Sequence, residues 1–107
     1  MQTASFKDTL ASLTDTSNIK QLELLDLQGN VIDSIENIPG KAGSVSVYYH
    51  VTAGNGQLDK AAAEQALQLY AEHTEDARQN PGKHPNIDRL IDMIKNNLTY
   101  QVNVIRK

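Results

Sequence analysis

Apolar side chains recur along this chain with two different periods, and those periods divide it into elements. Phe6, Leu10 and Leu13 fall at i, i+4 and i+7, the stripe of a short helix over residues 3–13 with Thr3 or Ser5 as N-cap. A polar connector, residues 14–18, follows. Two runs of strand character, residues 19–27 and 31–36, then flank Gln28-Gly29-Asn30. Glycine and asparagine tolerate positive φ, so this pattern predicts a tight hairpin with a bulge. Leu22 and Leu24 share one face of the first run, Leu25 and Leu27 the other. Apolar residues on both faces predict a central strand, or a bulge that switches faces.

Pro39-Gly40 and Pro81-Gly82 read as type II turns, each followed by a lysine. Nothing around the two turns matches in spacing, so they do not mark a repeat. Residues 44–52 (SVSVYYHVT) alternate: Val45, Val47, Tyr49 and Val51 against Ser44, Ser46, Tyr48, His50 and Thr52. That is the period of a strand, which is the preferred reading; a helix from Ser44 to Ala53-Gly54 is the rival. From Asp59, placed to act as N-cap, the pattern predicts one helix to about Gln79. Its apolar arc holds Ala62, Ala63, Ala66, Leu67, Leu69, Tyr70, Thr74 and Ala77. Asn80-Pro81-Gly82 ends it. A further helix opens near Asn86 with the stripe Ile87, Leu90, Ile91, Ile94 and Leu98. Residues 99–105 alternate again, as a terminal strand with one polar face.

The order α-β-β-(β)-α-α-β predicts an α+β fold: an antiparallel sheet of three to four strands with helices packed on one face, two layers in a single domain over residues 1–107. Composition narrows the chemistry. The 107 residues contain no cysteine, which removes disulfides, thiolate zinc sites and cysteine nucleophiles. Net charge is −3, with 10 basic residues scattered among 13 acids, so a nucleic-acid surface is not expected. Lys7 and Asp8 stand where a signal peptide would be apolar, and no run is long enough to cross a bilayer. No membrane partner and a cytoplasmic location are the expectations.

Candidate chemistry concentrates in residues 73–90, HTEDARQNPGKHPNIDRL. His73, Asp76, His84 and Asp88 offer the two imidazoles and two carboxylates of a divalent-metal site. The spacing matches no strong metal signature, and HExxH is absent. Arg78, Lys83, His84 and Arg89 are the alternative, an anion site near a helix N-terminus. Pro39-Gly40-Lys41-Ala42-Gly43-Ser44 is a second glycine-rich loop that would cradle an anion if Ser44 opens a helix. Against both stands a purely structural account of the corner. There His73 is buried and gives its ring N–H to Asp76, Pro85 holds His84 extended, Asn86 caps the next helix and Asp88 complements its dipole. GxSxG is absent too, and Glu72, Asp76 and His73 would transfer protons only in a cleft.

Residues 71–90, AEHTEDARQNPGKHPNIDRL, together with residues 36–44, ENIPGKAGS, resemble a family of short bacterial proteins described as a domain of unknown function. The resemblance spans nearly the whole chain. It implies a small single bacterial domain and carries no activity, cofactor or site residue with it. On the residues themselves the leading expectation is a non-enzymatic module without a cofactor that binds a protein partner or its own copy, through an edge strand such as residues 99–105. The alternative is a small-anion or divalent-metal site at the corner His73–Arg89, with catalysis there left open.

Overall fold

The computed structural model describes Phe6, Thr9, Leu10, Leu13 and residues 15–107. The helix expected over residues 3–13 lies in the main outside the described residues. In chain order the elements are β1 (Ile19–Leu25), β2 (Val31–Glu36), α1 (Ala42–Thr52), β3 (Gln57–Leu58), α2 (Lys60–Leu69), α3 (Glu72–Gln79), α4 (Pro85–Asn96) and β4 (Tyr100–Arg106). The four strands form one antiparallel sheet in the order β2-β1-β4-β3. The fold is α+β, as the pattern predicted.

β1 and β2 form the expected hairpin. Asp26 Oδ1 accepts from the N–H groups of Gln28 and Asn30, at 2.9 Å each, and Gly29 takes φ 92°. The ladder slips by one residue between Leu24 and Leu25, which lets both faces of β1 carry leucine near the turn. Leu22, opposite Ile35 and Val104, and Leu24, opposite Asp33 and Val102, define the face turned to the helices. Ile19, Leu22, Leu24 and Ile35 are buried there. The other face carries Glu23 opposite Ser34 and Asn103, and the Asn103 amide donates to Glu23 at 3.0 Å. One side is core and the other is wet.

The last strand, expected at an edge, is interior. β4 lies between β1 and β3, because β1 offers it a full-length partner whose inward leucines match Val102 and Val104. β3 covers only Tyr100 and Gln101, so the far half of β4 still has an open side among the described residues.

Residues 44–52 are not a strand but the body of helix α1. Ile38 O accepts from the N–H groups of Lys41 and Ala42, and this turn leads the chain directly into the helix. Val45, Tyr48 and Thr52 then fall at i, i+3 and i+7 and are buried together with Val47. Helix propensity penalises valine and tyrosine by only about 0.7 kcal/mol each or less, whereas burying a large side chain stabilises by about 1.5–3 kcal/mol. Packing decides, and the local alternation misleads.

The single helix predicted from Asp59 is two. Asp59 caps α2, its carboxylate accepting from Ala62 N at 2.8 Å. The chain breaks at Ala71, which adopts φ 53° and ψ −120°, and restarts as α3. The break leaves Leu67 O without its helical partner, since Ala71 N turns to Gln68 O; the Thr74 hydroxyl donates to Leu67 O instead. The predicted arc is nevertheless buried, except for half-buried Leu69. Helix α4 contributes Ile87, Leu90 and Met93 to the core and ends on Asn97 in the left-handed region. Met93 replaces Leu98, which lies past the helix end and is exposed.

Candidate functional site

The two Pro-Gly-Lys turns, unrelated by spacing, meet in space. Gly40 and Lys41 from the first and Lys83 from the second line one cleft of about 620 Å³, between the start of α1, the end of α2 and the corner before α4. Its walls also include Phe6, Leu10, Ile35 and Ile87, the hydroxyl-bearing Ser34, Ser44 and Tyr70, and the charged or titratable Asp33, His73, His84 and Arg89. The size suits a small organic molecule. The helix that the glycine-rich loop was expected to lead into at Ser44 opens two residues earlier, at Ala42, so Gly43 and Ser44 lie in its first turn rather than in a loop before it.

Glycine at position 43 is a matter of space. A Cβ there would lie 3.2 Å from two Phe6 ring atoms and 3.4 Å from Leu10 Cδ1. Phe6 also stacks on Tyr70, with ring centroids 5.3 Å apart, and meets His73 edge-on at 4.9 Å. Its N–H donates to the Glu72 carboxylate at 2.6 Å. Glu72, offered as a proton-transfer group from sequence, is therefore spent on holding Phe6.

Arg89 is the best-held cation of the wall. Its side chain is 15% exposed and its guanidinium lies over the Tyr48 ring, 5.9 Å from the centroid. Nη1 donates to Asn86 Oδ1 at 3.0 Å and to the Tyr48 hydroxyl at 3.2 Å, and Nη2 pairs with Asp33 Oδ2. The Tyr48 hydroxyl in turn donates to the Asn86 carbonyl. Burial pushes the Tyr48 phenol up to about 12 even though Arg89 pulls the other way. Burial likewise raises Tyr70, whose hydroxyl donates to Ser44 Oγ at 2.7 Å.

On the corner itself the expected pairings are exchanged. His73 does not give its ring to Asp76. It stays half-buried against Phe6 and against His84, whose ring centroid is 5.5 Å away. Asp76 takes His84 Nε2 at 2.7 Å, Lys83 Nζ at 2.9 Å and Asn80 Nδ2 at 2.9 Å. Hydrogen bonds from His84 first, then from Lys83, hold its carboxyl down to about 2. Asn86 is not the cap of α4. Pro85 is the first helical residue and His84 the N-cap position, which frees the Asn86 side chain for Arg89. Asp88 accepts from Gly82 N at 2.9 Å and so closes the second turn.

Of the anion candidates, Lys83, His84 and Arg89 line the cleft, whereas Arg78 is exposed in the last turn of α3 and does not. Of the metal candidates, the two imidazoles line the cleft and the two carboxylates do not. Among the described residues no group of three or more His, Asp or Glu side chains is arranged to hold a metal ion. Asp33 and Tyr70 went unsuspected as site residues, and Tyr48, expected with His50 on a wet surface, is fully buried. Only their tertiary neighbours reveal them, because Asp33 sits in a strand 56 residues from Arg89.

The model of a family described as "uncharacterized protein conserved in bacteria (DUF2322)" matches residues 6–104, and the chain belongs to that family. No curated protein and no solved structure matches it. No helix among the described residues is long and apolar enough to cross a membrane.

Proposed function

We propose that this member of the family binds a small anionic organic molecule in the cleft between the two Pro-Gly-Lys turns. The observation that carries the reading is Arg89: a nearly buried guanidinium fixed at the wall of a ligand-sized hollow. Buried cationic forks of this kind select planar oxyanions, because their donors are already aligned. Lys41 adds exposed positive charge at the same hollow, and the first turns of α1 and α4 add the positive ends of two helix dipoles. Phe6, Ile35 and Ile87 supply an apolar wall for the rest of the molecule.

Thermal unfolding against a panel of small organic acids and phosphorylated metabolites tests this. A true ligand at about 100 times its Kd stabilises by about 2.7 kcal/mol. Lys41→Ala should weaken that shift by lowering the local potential. A panel in which no anion moves the midpoint would end the proposal.

A second reading, association with a protein partner or another copy, is favoured by one observation. The outer strand β2, the hairpin tip and the turn after β2 expose Leu27, Val31, Ile32 and Ile38, between 43% and 63%. An open strand edge carrying apolar side chains is the usual substrate for strand addition. Light scattering that returned a monomer at all concentrations, with no change on Ile32→Lys, would dismiss self-association.

A further inference from the structure

We infer that the anion is a carboxylate that takes the place of Asp33 on Arg89, so that Asp33 is a built-in competitor setting the affinity of the cleft. The inference rests on the ligand-binding reading above and names its chemistry.

The four contacts of the Arg89 guanidinium are unequal. Asn86 Oδ1, the Tyr48 hydroxyl and the Tyr48 ring belong to α4 and α1, two helices packed into the core. All three are neutral, and they fix the group from the inner side. The fourth contact is the only anionic one among the described residues, and it comes from β2, the outermost strand. Its register opposite Leu24 puts Asp33 on the helix-facing side, yet its side chain is 51% exposed. The cation is therefore held rigidly while its counter-charge sits where solvent and solute reach it.

A guanidinium this deep is costly without an anion, so some carboxylate has to complete it. Asp33 does so in the free protein. A solute carboxylate lying in the cleft offers Nη2 the same oxygen geometry while its hydrocarbon part covers Ile35 and Ile87. Exchange of one carboxylate for another conserves charge at Arg89 and adds apolar burial. Inorganic phosphate gains nothing from the apolar wall, and so the favoured class is a small organic acid with a hydrocarbon body.

The test titrates benzoate, hexanoate and inorganic phosphate into uniformly ¹⁵N/¹³C-labelled wild type, Asp33→Asn and Arg89→Gln, followed by amide and side-chain carboxyl resonances. The organic acids should bind the wild type and bind Asp33→Asn roughly tenfold more tightly, the gain from removing a competitor that occupies the site about nine-tenths of the time. Arg89→Gln should lose the binding. In the wild type, saturation should move the Asp33 carboxyl carbon toward its solvent-exposed shift, a readout that needs no variant to fold. Wild-type binding that is unchanged or weaker in Asp33→Asn, with a static Asp33 carboxyl signal, overturns the exchange but leaves a ligand site. Binding of phosphate alone does the same. Silence from all three probes in both the wild type and Asp33→Asn overturns the exchange, and silence from the wider anion panel overturns the ligand-binding reading with it.

Discussion

His84 Nε2 lies 2.7 Å from Asp76 Oδ2, and Lys83 Nζ reaches the same oxygen at 2.9 Å. One carboxylate thus joins the last turns of α3 to the residue that opens α4, and it keeps His84 at the cleft wall. With its carboxyl held down to about 2, Asp76 favours the folded state above the ordinary carboxylate value of 3.8. The sign follows from linkage: protonation binds more easily to the unfolded chain, so the contribution fades as pH falls from about 4 through about 2. Urea unfolding of wild type and Asp76→Asn should differ at pH 7 and converge near pH 2. A gap that stayed constant across this range would mean that the His84 and Lys83 contacts do not depend on the charge of Asp76.

Tyr48 makes the opposite prediction at the alkaline end. Its phenol is raised to about 12, so the neutral form belongs to the folded state. Its contribution is complete below about pH 10 and disappears as pH rises through about 12. Tyr48→Phe removes the donor to the Asn86 carbonyl and one acceptor of Arg89, a loss of about 1–2 kcal/mol at neutral pH. The stability curves of the two proteins should approach each other between pH 10 and 12. Phenolate absorbance from Tyr48 appearing at pH 10 in the folded wild type would contradict the burial argument.

How far the sequence could have led here differs by element. The hairpin at Gln28-Gly29-Asn30, the Asp59 cap and the buried arc of α2 and α3 were legible because each is decided within a few residues. Helix α1 was not, since valines and tyrosines in alternation describe a strand locally and only the sheet beneath Val45 and Tyr48 selects the helix. At the corner, residue types were legible and pairings were not. His73 and His84 are both within reach of Asp76 in sequence, and only the tertiary packing, with His73 against the Phe6 ring and His84 on Asp76, decides between them. The Arg89–Asp33 pair was beyond reach, because it needs the register of β2.

Thr74 repairs that break. Its hydroxyl is the partner of Leu67 O, seven residues back, at a site where the side chain is 7% exposed. Thr74→Val keeps the shape and removes the donor, leaving a carbonyl dry and unpaired. The expected cost is about 1–3 kcal/mol. Thr74→Ser, which keeps the donor, should recover most of it. A loss in Thr74→Ser with none in Thr74→Val, read by denaturant unfolding, would assign the role to the methyl group rather than the hydroxyl.

Ala71 itself is the strained residue. With φ 53° and ψ −120° it occupies a conformation natural to glycine and unfavourable for any side chain, by about 1–3 kcal/mol. Ala71→Gly relieves that strain and loses about 0.4–1 kcal/mol through the greater freedom of the unfolded chain. The balance is a stabilisation of about 1 kcal/mol, which for a domain this small raises Tm by about 4–8 °C. The strain has a position as well as a magnitude: Tyr70 on one side of Ala71 and His73 on the other both face the cleft. Relaxing the hinge should therefore loosen the Phe6–Tyr70–His73 stack while the core grows no weaker. Calorimetry of Ala71→Gly checks the first effect, and hydrogen exchange at residues 70–74 checks the second. A lower Tm would show that α2 and α3 hold Ala71 in place without strain.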